Sequence, residues 1–142
     1  MTVDPARERY PLRTSEDLAR MRKALGRRLD ARGVASGLQT RIVTAATELG
    51  RNVIRHGAGG WMCFGDIEAD GRRGLSLEFE DEGPGIADVE RAWKDGFSTA
   101  GGLGLGLGGS RRLIGELAIE PRQPRGVRVT GTAWLDRPRP AR

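Results

Sequence analysis

Cysteine, histidine, lysine and aromatic residues are all scarce in this 142-residue chain, and each scarcity excludes something. A single cysteine, Cys63, can form no intramolecular disulfide and suits a reducing compartment. One Cys and one His cannot supply a zinc shell. Cys63 lies in the strand-like run WMCFGDIE, where a buried thiol behaves as a small hydrophobe rather than a reactive group. No run of about 18 apolar residues is present, so no helix is expected to span a membrane. The opening MTVDPARERYPLR has no apolar stretch of signal-peptide type, and the expectation is a cytoplasmic protein without a membrane partner.

Positive charge is present in excess, with a formal charge of +5 and a pI of about 10.5. Nearly all of it is arginine, Lys23 and Lys94 being the exceptions, and it is spread along the chain. No aromatic residues interleave with the arginines as a stacking platform for nucleic acid requires. The pattern therefore reads as a solvated Arg-rich surface with no nucleic-acid partner, and leaves open a basic surface that docks an acidic protein.

The length suits one domain, taken as residues 1–135, with the tail DRPRPAR over 136–142 disordered. RERYPLR reads as a first strand that Pro11 confines to an edge. Thr14 and the acids behind it open a helix whose apolar positions are Leu18, Met21, Leu25 and Leu29, stopped at Arg32-Gly33. A second helix is expected over Ala35–His56, with Leu38, Ile42, Ala45, Leu49 and Val53 as its stripe. Two strands, Gly60–Glu68 and Gly74–Glu80, flank a hairpin at Asp70-Gly71, with Arg72 and Arg73 lengthening its loop. Leu105–Leu117 has helical spacing, and strands follow over Ala118–Glu120 and Val127–Leu135. The expected fold is a two-layer α/β sandwich, with helices on one face of a mixed, mainly antiparallel sheet.

Three constellations carry chemistry. Glu48 and Asn52 lie one turn apart on the second helix, so both side chains reach one site. Asp81, followed by Gly83-Pro84-Gly85-Ile86, places an acceptor-only carboxylate beside a sharp turn, which suits a ligand amino group. Six glycines in the nine positions 101–109 include Gly102-Leu103-Gly104-Leu105-Gly106, whose backbone N–H groups make an anion site before a helix. Between them lies the polar segment with Ser98 and Thr99, read as a lid. Together these make a nucleotide pocket. The letters G-x-G-x-x-G at 104–109 do not follow a strand, and no Gly-Lys-Ser/Thr is present, which excludes the dinucleotide fingerprint and the P-loop.

The ordered boxes Glu48-x-x-x-Asn52, Asp81-x-Gly83-x-Gly85-Ile86 and Gly102-x-Gly104-x-Gly106 resemble those of the GHKL, or Bergerat-fold, ATPase superfamily. TELGRNVIRHGAGG and EDEGPGIADVERAWKDGFSTAGGLGLGLGGSRRL look most like the anti-sigma-factor kinase branch, and within it the bacterial stressosome switch serine/threonine kinases. The resemblance implies Glu48 as general base, Asn52 as ligand of Mg²⁺, Asp81 as the acceptor from the adenine amino group, and the glycines as phosphate donors. It gives His56 a place where relatives carry His or Tyr. It also implies ATP as phosphoryl donor and a STAS-domain antagonist or scaffold protein as substrate. One departure is Gly126-Val127, where many relatives carry a Gly-Thr pair that supports the adenine site, and Thr130 would lie on the opposite strand face. The alternative function is a nucleotide-dependent binding module that sequesters a sigma factor or activates a PP2C-type phosphatase. Glu48 discriminates, because a pure binding module has no need of a general base.

Overall fold

The computed structural model describes residues 4, 6–56, 58–83, 116–121 and 126–135. Within them the chain runs β1 (Glu8–Leu12), α1 (Ser15–Ala31), α2 (Ser36–His56), β2 (Gly60–Ala69), β3 (Arg72–Asp81), β4 (Glu116–Pro121) and β5 (Val127–Trp134). The sheet order is β1-β2-β3-β5-β4, so β1 with its Pro11 is an edge strand, as its missing N–H demands. All four described pairings are antiparallel; none of them supplies the parallel component of the expected mixed sheet.

Local chemistry accounts for the helix bounds. Thr14 caps α1 by accepting from the Asp17 N–H at 3.1 Å, while the Asp17 carboxylate accepts from the Thr14 N–H at 3.2 Å, a reciprocal capping box. Gly33, at φ +68°, turns the chain out of α1. In α2 the stripe Ile42, Ala45, Leu49 and Val53 is buried and Leu38 packs at its rim. Ile42, Leu49 and Val53 meet Met62, Phe64, Leu75, Leu77 and Phe79 from the sheet in one core. The two helices therefore share one face of the sheet, the two-layer arrangement that the apolar patterning implies.

Two expected bounds are corrected. The β2–β3 loop is the minimal two residues, because Arg72 pairs with Ala69 and Arg73 with Glu68 inside the ladder. Asp70 and Gly71 take φ values of +52° and +74°, the backbone of a type I′ turn, whose twist matches the strands it joins. Leu117, expected at the end of a helix, lies in β4 opposite Gly131, where it and Ile119 pack against the core. The rest of the expected helix over 105–117, and the tail at 136–142, lie outside the described residues.

At the hairpin end of the sheet, an ion network ties the start of the chain to α1. Arg28 donates to Asp4 at 3.0 Å, Glu8 at 2.9 Å, Asp66 at 3.3 Å and the Ala6 carbonyl at 2.7 Å. Its side chain is 10% exposed and that of Asp4 is 11% exposed. Arg32 pairs with the same Asp66. The Asp66 N–H donated to Asp4, and next that of Ala6, hold the Asp4 carboxyl below the ordinary carboxylate range against the opposing push of burial, with Arg28 adding a lesser pull downward.

A folded-state value below the unfolded one means that Asp4 adds stability above the ordinary carboxylate pKa and loses it as pH falls through the lowered value. Urea denaturation should therefore show Asp4→Asn less stable than wild type at pH 7, with the gap closing below about pH 4. Arg28→Ala, which takes the shared cation from three carboxylates and leaves only Asp66 with another guanidinium, is expected to cost about 3 kcal/mol at pH 7.

Candidate functional site

The site begins with the end of α2. Glu48 and Asn52, four residues apart, project to one side of the helix, beside the buried Leu49 and Val53, and both are half-buried. The Asn52 amide has no hydrogen-bond partner among the described residues, whereas Glu48 is engaged. Arg51 donates to its Oε1 at 2.7 Å, with Glu48 18% and Arg51 44% exposed. An i,i+3 pair open to water is worth at most about 1 kcal/mol, so it biases the carboxylate without locking it.

Backbone hydrogen bonds connect this helix end to Asp81. The Gly59 N–H donates to Val53 O at 3.0 Å, and the Glu82 N–H donates to Gly59 O at 3.2 Å. One residue further on, Gly60 pairs with Asp81 across the β2–β3 ladder. A Cβ at Gly60 would fall 1.8 Å from the Glu80 carbonyl oxygen, so this approach requires glycine. Strand alternation places Leu75, Leu77 and Phe79 on the helix side, and Asp81 continues that row.

The Asp81 carboxylate is itself held. Its Oδ1 accepts from the Gly83 N–H at 3.0 Å and from the Val127 N–H at 3.1 Å. Gly126 makes the second bond possible. It sits at φ +99°, and a Cβ there would lie 2.1 Å from the Asp81 carbonyl oxygen. At Gly126-Val127, where the sequence offers no side-chain hydroxyl, β5 meets Asp81 through a main-chain donor. Thr130 pairs with Glu78 on the opposite face, as its offset from Val127 requires.

Of the site residues expected from sequence, the structure brings Asp81 and Gly83 together and joins their loop to the helix that carries Glu48 and Asn52. Gly85, Ile86, Ser98, Thr99, Gly102, Leu103, Gly104, Leu105 and Gly106 lie outside the described residues, as does the His56 side chain. Sequence reasoning missed Arg51, although its spacing from Glu48 is that of an ion pair. It also missed Val127 as a partner of Asp81, for which no side-chain signal exists.

Comparison with known proteins decides the family. Residues 37–139 match the family described as histidine kinase-, DNA gyrase B- and HSP90-like ATPases. The chain belongs to this GHKL family. A GHKL relative, the serine/threonine-protein kinase RsbT of Bacillus subtilis (strain 168), is 39% identical over 97 residues. That match covers 68% of this chain and 73% of the relative. The described antiparallel sheet with two helices on one face is consistent with an α/β GHKL fold.

Two outcomes follow for the GHKL site. In Asp81→Asn the two described backbone N–H donors favour the amide carbonyl where Oδ1 now sits, which turns an NH₂ donor to the place of the second carboxylate oxygen. Calorimetry is expected to show ATP binding weakened about tenfold or more, with folding little changed; unchanged affinity would remove Asp81 from the adenine site. Gly126→Ala, strained in φ and in contact with Asp81, should lower the unfolding free energy by about 2 kcal/mol or more in urea titration.

Proposed function

We propose that the chain is an ATP-dependent serine/threonine protein kinase that phosphorylates a small regulatory STAS-domain protein in a bacterial partner-switching, stress-signalling pathway. The observation that carries this reading is the backbone path from the Asn52 turn of α2 to Asp81, which puts a carboxylate, an amide and a second carboxylate at one end of the fold. The relative named a serine/threonine-protein kinase supports the choice of acceptor.

In this reading Asp81, oriented by Gly83 and Val127, accepts a hydrogen bond from the adenine amino group. Gly83 and Gly85, with Ile86, shape the base pocket, and the glycines at 102, 104 and 106 give backbone N–H donors to the phosphates. Glu48 accepts the proton of the partner's Ser or Thr hydroxyl as it attacks the γ-phosphorus, and the β–γ bridging oxygen leaves with ADP. Asn52 fits Mg²⁺ by the chemistry of its donors. Among the described residues no cluster of three acidic, His or Cys side chains forms a dedicated cage, and one amide oxygen with phosphates and water suits this ion. When bound, Mg²⁺ supplies charge neutralisation at the phosphate oxygens. The remaining contribution is positioning, which phosphoryl transfer chiefly needs.

A second reading is a nucleotide-dependent binding module, an anti-sigma factor or an activator of a PP2C-type phosphatase. The engagement of Glu48 by Arg51 favours it to the extent that the base is occupied in the free chain. Transfer of labelled γ-phosphate to a STAS-domain protein encoded beside this chain separates the two. Wild type should transfer, and Glu48→Ala should lose about 10²-fold or more in rate while nucleotide affinity stays within about twofold. Nucleotide binding without transfer by wild type would establish the module.

A further inference from the structure

The sheet face turned away from α1 and α2 is covered by no described element, and its charges fall into two groups. In the middle, arginines are neutralised: Arg7 reaches Glu78 at 2.5 Å, and Arg128 reaches Glu80 at 2.9 Å and Glu78 at 3.3 Å. Beside the β1 edge they are not. Arg9 places its guanidinium carbon 3.8 Å from the centroid of Trp61, and Arg13 lies 5.9 Å from the same ring. Among the described residues neither guanidinium has a carboxylate partner. Both arginines are exposed and Trp61 is half-exposed. Alternation along β1 sends residues 9 and 11 to one side, and Arg13 just past the strand reaches the same ring, so an aromatic does interleave with arginines here, in space though not in sequence.

We propose that the Arg9–Trp61–Arg13 cluster is a docking site for an acidic segment of a partner protein, with the two guanidiniums pairing its carboxylates. A guanidinium laid on an indole keeps its in-plane N–H donors for bidentate carboxylate contact, and stacking limits the freedom it has to lose on binding. Trp and Arg are the residue types that dominate interface energetics, and the chain's charge of +5 attracts an acidic partner. A nucleic acid fits less well, because Arg9 already occupies the indole face on which a base would stack. The cluster lies at the working end of the sheet: Trp61 pairs with Glu80, next to the Gly60–Asp81 pair, and Arg13 packs where a Cβ on Gly59 would stand 3.1 Å away. The partner's role as phosphoacceptor or regulator rests on the kinase reading; the binding itself does not.

The test titrates a glutamate-rich peptide and its glutamine counterpart into nucleotide-free protein. The glutamate peptide should bind wild type and the glutamine peptide should not. Arg9→Glu/Arg13→Glu is expected to weaken binding about fivefold or more, with Arg9→Gln/Arg13→Gln as the milder pair if reversal impairs folding. Arg22→Glu/Arg27→Glu makes the same charge change at exposed positions of α1 and should stay within about twofold. The proposal is overturned if wild type ignores the glutamate peptide, if both reversals weaken it equally, or if a single-stranded oligonucleotide binds the cluster in preference. Wild type that takes the peptide yet transfers no phosphoryl group removes the kinase reading and leaves the docking site standing.

Discussion

The pairing of β2 with β3 is the constraint on which the site depends. A two-residue turn with both central residues at positive φ sets the register, and ten residues later that register brings Gly60 against Asp81. Because side chains alternate along a strand, a slip of one position would carry Asp81 from the helix face to the open face. It would also break the approach of the Gly59 turn to Glu82, and with it the connection between the helix bearing Glu48 and Asn52 and the carboxylate loop. The hairpin turn at one end thus determines the geometry of the site at the other, the full length of two strands away.

The two ends of the sheet are built differently. At the hairpin end, carboxylates and guanidiniums are paired around the largely buried Arg28 and Asp4, with Arg28 serving three acids and one carbonyl. At the site end, Asp81 is held by backbone donors among the described residues. Desolvated ion pairs depend on every member being present, whereas main-chain hydrogen bonds depend on backbone course. Cys63, on the open face between Arg7 and Glu78, is half-buried, and desolvation pushes its thiol up from its ordinary value. This keeps it protonated at neutral pH and suits its reading as a small hydrophobe.

Much of this was legible in the residues, and the misses have physical reasons. The stripe of α2, the Thr14 cap and the edge position of Pro11 are local signals, and each holds in the structure. Arg72 and Arg73 look like loop residues because they are charged and follow a turn. They are strand because the type I′ turn needs only Asp70 and Gly71, and because Arg72 lies over the Trp134 ring at 4.5 Å. Leu117 fits a helical period as well as a strand, and only its pairing with Gly131 decides. In the site, the box that carries Glu48 and Asn52 can be read directly, whereas Arg9 and Trp61 are 52 positions apart and meet only once the sheet forms.

The grip on Asp81 has a further consequence for how such a chain drifts. Both described donors to its Oδ1 are peptide groups, so these contacts do not depend on which side chain stands at residue 127. Any amino acid with an N–H can serve there, provided that the strand keeps its path and residue 126 remains without a side chain. Proline alone would erase the donor. A change of side chain at residue 127 leaves its N–H donor in place, and the backbone constraint falls on the glycine before it.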